Sequence, residues 1–131
     1  MIAVDTNILA YLYLPGDFTA GAEALLESDP EWNAPVLWRS EFRNILAGYM
    51  RRGMLRFDQA CSIQNEAEGL LDGAEHEPAS RTVLELVVAS NCSAYDCEFV
   101  AVATSLNVPL YTMDSKVLAA FPTIARSLPG A

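Results

Sequence analysis

The sequence predicts an α/β fold: a three-layer α/β/α sandwich with a mostly parallel central sheet, built as a single domain over residues 1–131. Three observations predict it. Short apolar runs of strand length alternate with amphipathic stretches of helical period along the chain. Hydrophobic residues make up 52% of the 131, enough for one core and too short a chain for a second domain. Asp5, Glu41, Asp96 and Asp114 each stand where a strand ends or a helix begins, and in a parallel sheet those points share one edge.

Taken in order, the first strand is Met1 to Val4, followed by a short helix over Thr6 to Leu12 that Pro15-Gly16 ends. Ala20 to Leu26 predicts a second helix, closed by Ser28-Asp29-Pro30, and Asn33 to Leu37 a second strand. The next helix is the clearest. Phe42, Ile45, Leu46, Tyr49 and Met50 follow the spacing i, i+3, i+4, i+7, i+8, and Gly53 stops the run. A further helix begins near Asp58, buries Ala60, Ile63, Ala67, Leu70 and Leu71, and ends at Gly73. Glu75 to Pro78 reads as a polar, exposed connection. Thr82 to Ala89 is apolar nearly all round and predicts a buried helix. Ser93 opens a helix buried through Tyr95, Phe99, Val102, Ala103 and Leu106. Val108 to Met113 predicts a central strand. A short helix over Lys116 to Ala120 and an edge strand near Thr123 to Ala125 complete the chain.

No apolar run approaches the roughly 20 residues a membrane span needs, and Asp5 interrupts an N-terminal start that lacks a signal peptide's basic region. Cys61, Cys92 and Cys97 lack metal-ligand spacing and read as free thiols of a reducing, cytoplasmic location. Net charge is −9, which by itself argues against nucleic acid. Its distribution softens that objection, because Arg39, Arg43, Arg51, Arg52 and Arg56 cluster together and Arg holds phosphate bidentately. Arg43, Arg51 and Arg52 lie off the buried stripe of their helix, free to meet phosphate or an acidic partner, or simply to face solvent.

Each of the four acids has a structural explanation. Asp5 can begin a turn, Asp114 can cap the next helix, Ser93 and Asp96 have capping-box spacing, and a helix dipole favours Glu41. Position on the helix shifts the balance for two. At ~100° per residue Glu41 falls about 40° from Ile45, and Asp96 shares a face with Val100 and Ala103. Acids lining a cleft lean against apolar residues in this way, whereas capping acids do not need to. Four carboxylates gathered at one sheet edge repel one another, and a hard divalent cation with oxygen ligands relieves the repulsion. The pattern is that of a metal-dependent hydrolase.

Other chemistries fit worse. The lone His76 excludes a two-histidine acid–base pair, and no Gly-x-Ser-x-Gly turn is present. The seven glycines are scattered, so there is no phosphate-cradling loop. A phosphatase with an aspartyl nucleophile on the first strand would carry a second acid where Asn7 stands.

Val4-Asp5-Thr6-Asn7-Ile8-Leu9, Ser40-Glu41-Phe42-Arg43-Asn44-Ile45-Leu46, Ser93-Ala94-Tyr95-Asp96-Cys97-Glu98-Phe99-Val100-Ala101-Val102-Ala103 and Tyr111-Thr112-Met113-Asp114 together resemble the PIN-domain ribonucleases. Their order and spacing look most like the VapC-type toxins of bacterial toxin–antitoxin pairs, from residue 1 to about residue 122. Two positions depart from the pattern. Cys97 stands where a small residue such as Ala is usual, and Trp38-Arg39 replace the smaller, less charged residues often found before Ser-Glu. The resemblance implies a PIN-like fold and a site on Asp5, Glu41, Asp96 and Asp114 for Mg2+, or Mn2+, with Thr6 and Asn7 supporting it. It also implies an endoribonuclease acting on RNA, inhibited by a small antitoxin whose tail covers the cleft, and often a homodimer. Two other readings stay open: a non-catalytic module whose acidic cleft captures a basic partner, and a housekeeping nuclease of the same fold without an antitoxin.

Overall fold

The computed structural model describes residues 1–130. Its elements run β1 (Ile2–Val4), α1 (Thr6–Tyr13), α2 (Thr19–Ser28), β2 (Trp32–Pro35), α3 (Trp38–Arg51), α4 (Phe57–Leu70), β3 (Glu75–His76), α5 (Ser80–Val88), α6 (Ala94–Leu106), β4 (Leu110–Tyr111), α7 (Ser115–Ala120) and β5 (Ala125–Arg126). All five strands are parallel, in the order β3-β2-β1-β4-β5. The expected α/β architecture is present, with a sheet that is wholly rather than mostly parallel.

Strand order fixes where the helices go. From β1 to β3 the chain steps one way across the sheet, then returns past β1 to lay down β4 and β5 on its other side. Parallel crossovers are right-handed, so helices made before that reversal and helices made after it cover opposite faces. Accordingly α1 packs with α2, α3 and α4, while α6 lies on β1, β2 and β4 with α5 against it. Between β1 and β4 the direction of winding changes, and such folds hold their ligands in the crevice beyond the strand ends there.

The core is one cluster in which Val4, Ile8, Leu9, Trp38, Phe42 and Val100 are wholly buried. Ile2-Ala3-Val4 is buried on both faces, as a central parallel strand must be. Helix α3 stops as the sequence suggests. Gly53, at φ +72°, lets its N–H reach the Met50 carbonyl (3.0 Å) and the Met54 N–H reach that of Tyr49 (2.9 Å).

Four expectations need correction. Glu75-His76 is not a bare connection but a two-residue edge strand registered on Ala34 and Pro35. Its polarity has local causes: the Glu75 carboxylate accepts from Trp38 Nε1 (2.7 Å) and from Arg39 Nε and Nη2 (2.6 and 2.7 Å). His76 is half-buried rather than exposed, its Nε2 2.9 Å from Asn33 Oδ1. The helix expected to be buried, α5, hides only Val83, while Leu84 and Val88 are 58% and 88% exposed, because it sits outside α6. Tyr95 is 64% exposed, in the first turn of α6. No described helix is long and apolar enough to cross a membrane.

Candidate active site

Four elements bring acids to the crevice beyond β1 and β4: the ends of strands β1 and β4 and the first turns of helices α3 and α6. Asp5 is the last extended residue after β1 (φ −73°, ψ 155°); its carbonyl accepts from the Ile8 N–H (3.0 Å), so the strand-to-helix turn fixes its place. Its own N–H donates to the Tyr111 carbonyl (3.0 Å), which ties it to β4. Across the same gap, buried Thr112 donates its hydroxyl to Asp5 Oδ2 (2.8 Å) and accepts from the Asp114 N–H (3.0 Å). One threonine thus joins the first acid to the last.

Asp114 in turn caps α7, its Oδ1 accepting from the N–H groups of Lys116 (2.8 Å) and Val117 (3.2 Å). The capping role its position suggests is real, in addition to its place at the crevice. Glu41, in the first turn of α3, receives the Thr6 hydroxyl at 2.7 Å. Thr6 is buried at the start of α1, next to Asp5, so α1 and α3 are linked at this point. Asp96 occupies the first turn of α6, with its N–H held by Ser93 Oγ at 3.1 Å. Asn7 is exposed and borders a cavity of about 300 Å3 shared with Tyr11, Ile45 and Tyr49.

Electrostatics binds three of the acids into one unit. Burial pushes the Asp5 carboxyl from 3.8 up to about 6; the charges of Glu41 and Asp96 add to the rise, against hydrogen bonds from Thr112 and the Thr6 amide. Burial likewise raises Glu41, opposed by the Thr6 hydrogen bond and reinforced by Asp96 and Glu98. No Lys or Arg counts among the groups acting on either, and none of the four acids takes part in an ion pair among the described residues. Asp114 stands apart: its charge reaches Cys92, not Asp5 or Glu41, and Thr112 is its connection to the group.

Among the described residues no three His, Cys, Asp or Glu side chains approach closely enough to cage a metal ion. A hard, hydrated cation still suits this donor set. The acids are oxygen donors without basic partners, and magnesium retains several waters and binds through one or two carboxylates rather than a closed cage.

Two residues of this region carry roles that their sequence positions do not announce. Thr112 sits inside the Tyr-Thr-Met-Asp motif, where a hydroxyl two residues before an acid at a strand end is the only signal for such a bridge. Glu98 lies ~200° around the helix from Asp96, so helical phase points it elsewhere, yet its charge bears on Glu41.

Of the clustered arginines, Arg39 is tied to Glu75 and Glu68, and Arg56 to Asp58. Arg43, Arg51 and Arg52 are exposed and have no ion pair among the described residues; the Arg52 guanidinium lies 4.9 Å from the centre of the Tyr49 ring. Arg51 and Arg52 stand roughly 15 Å along the helix axis from Glu41.

No protein-family model matches the chain. It is 27% identical over 126 residues to Ribonuclease VapC3 of Pyrobaculum aerophilum, covering 94% of this chain and 96% of that protein. Its fold matches that of FitAcB from Neisseria gonorrhoeae with a TM-score of 0.73 at 17% identity, covering 95% and 96% of the two chains. The fold is PIN-like, and the sequence resembles a VapC ribonuclease over 94% of its length. A toxin–antitoxin complex from Klebsiella pneumoniae shares it too, with a TM-score of 0.62 at 20% identity and 96% of each chain covered. Asp5 and Asp114 follow β1 and β4, and Glu41 and Asp96 stand in the first turns of α3 and α6.

Proposed function

We propose that this protein is a metal-dependent endoribonuclease and the toxin of a type II toxin–antitoxin pair. One observation carries the reading: at the β1–β4 crevice the charges of Glu41 and Asp96 bear on Asp5 and that of Asp96 on Glu41, with no basic side chain among the groups acting on either. The similarity to a relative named a ribonuclease and to a structure described as a toxin–antitoxin complex supports the reading.

Of Asp5, Glu41, Asp96 and Asp114, one or two carboxylates would hold Mg2+ or Mn2+ and the others would act on it through its waters. When bound, the cation supplies charge for the scissile phosphate and lowers the pKa of attacking water. The chain's own residues set the geometry. Thr112 fixes the rotamer of Asp5 and the backbone of Asp114, and Thr6 fixes Glu41. Asn7, exposed at the start of α1, would orient water or phosphate. A carboxylate not engaged by the cation accepts the proton of the attacking water. Arg43, and further along α3 Arg51 and Arg52, would hold flanking phosphates of the RNA or acidic groups of the antitoxin.

The antitoxin expected for this site is a small protein with a basic segment that enters the acidic crevice and excludes RNA. Expression in a bacterial host is the test. Wild type alone should arrest growth, Asp96→Asn should not, and the product of a small neighbouring reading frame should relieve the arrest when co-expressed. Unchecked growth with soluble wild-type protein would argue for the module that only captures a basic partner.

A further inference from the structure

Beside the acids, on the β3 side of the sheet edge, lies a cavity of about 550 Å3, within the range of small-ligand sites. Val36 and Leu37, after β2, form one wall, and Pro78 and Val83 another; His76 closes the end of β3 and Glu98 comes in from α6. It adjoins the candidate site, for Leu37 directly precedes the helix that carries Glu41, and the charge of Glu98 is felt at Glu41.

Its chemistry is selective. No Lys or Arg lines it, so a phosphate would be repelled. Glu77 and Glu98 line it as acceptors, and the Ser80 hydroxyl at its mouth can accept or donate. Asn33 Nδ2 donates to the Ile2 carbonyl at 3.1 Å, which turns Oδ1 toward His76. His76 Nε2 must then carry the hydrogen, and in the neutral ring Nδ1 is an acceptor with no partner among the described residues. Apolar walls with acceptors at the edge fit a flat ring that has apolar faces and donor groups on its rim.

Resting on the nuclease reading above, we infer that this cavity is a subsite for an unpaired nucleobase of the RNA strand, one with an exocyclic amino group that donates to Glu98. Proteins that read RNA sequence do so mostly on splayed, single-stranded bases hydrogen-bonded along their edges. A carboxylate accepts from the amino group of cytosine, adenine or guanine, whereas uracil has carbonyl oxygens where the amino group would be. Glu98 is a specificity residue of this subsite, and Asn33 a positioning residue that acts through His76.

The test is cleavage of a randomised single-stranded RNA pool by partner-free protein with Mn2+, with the cut ends sequenced. The readout is base distribution at each position near the cut, not rate. Wild type should disfavour uracil at one fixed position. Glu98→Gln, whose amide can also donate to a carbonyl, should shift the ratio there toward uracil by about fivefold or more. Ser80→Trp, an exposed change at the cavity mouth, should flatten the preference at that position alone. A wild-type distribution without a preferred position, or the same distribution in Glu98→Gln, overturns the subsite and leaves the nuclease standing. Absence of any metal-dependent cut in wild type removes the nuclease reading and the subsite with it. Should Ser80→Trp misfold by circular dichroism, Glu98→Gln decides.

Discussion

Asp5 is held in the folded chain with a carboxyl near 6, against an ordinary value of 3.8, mostly because it is buried. A carboxyl whose folded pKa is raised binds its proton more tightly in the folded state. Stability without metal is therefore highest below about pH 4 as far as Asp5 is concerned, falls as pH rises through about 6, and is flat above that. The rise from 3.8 to about 6 corresponds to roughly 3 kcal/mol. Asp5→Asn should thus raise the stability of the metal-free protein at pH 7.5 by up to that amount and remove most of the slope between pH 4 and 6, measured by urea denaturation. Equal slopes in the two proteins would contradict the burial of an unneutralised acid. Thr112 is the second residue to test. Thr112→Val deletes both the donor to Asp5 and the acceptor for the Asp114 N–H, so it should cost roughly 1–3 kcal/mol. Metal affinity should fall as well, although no presumed ligand is altered.

At the scale of elements, sequence periodicity locates what is buried on one side and fails where a neighbour is missing. Helix α3 is legible because Phe42, Leu46 and their i+3 and i+4 companions mark one stripe and Gly53 marks the stop. Helix α5 misleads because Val83, Leu84, Leu86, Val87 and Val88 together look like a core, while it packs mainly on α6 and leaves Leu84 and Val88 in solvent. Strand β3 is two polar residues long and no period-2 pattern survives in it; only its pairing to β2 defines it. The site is legible to a similar degree. Acids at strand ends are visible in sequence, whereas the hydroxyl that joins Asp5 to Asp114 and the approach of Glu98 to Glu41 depend on the strand order, which the residues do not state. The α3 arginines belong to this scale. Replacing Arg43, Arg51 and Arg52 with Gln should weaken RNA binding and flatten its salt dependence, by a slope of ~0.7 for each single-strand phosphate left without its arginine. An unchanged salt slope would return these side chains to the solvated surface.

For the whole molecule, metal, second copy and substrate are the open equilibria. A cation bound only by the folded state stabilises it by mass action, by about 2.7 kcal/mol at a hundredfold excess over the dissociation constant. Mg2+ or Mn2+ should therefore raise the melting temperature of wild type and have little effect on Asp5→Asn or Asp96→Asn; equal shifts in all three would remove the shared site. A homodimer is expected to use the C-terminal end of α5, where Val88, 88% exposed, is the most exposed large apolar side chain among the described residues. Val88→Lys should then lower the mass seen by light scattering toward that of one 14.3 kDa chain, and an unchanged mass would place the interface elsewhere or nowhere. The decisive assay is RNA cleavage by protein shown by mass to be free of partner, in Mg2+, in Mn2+ and in chelator, for wild type and Asp96→Asn. A metal-dependent nuclease requires cuts by wild type with either metal, none in chelator, and a rate lower by orders of magnitude for Asp96→Asn. Intact RNA, single-stranded and structured alike, in every wild-type reaction would overturn it.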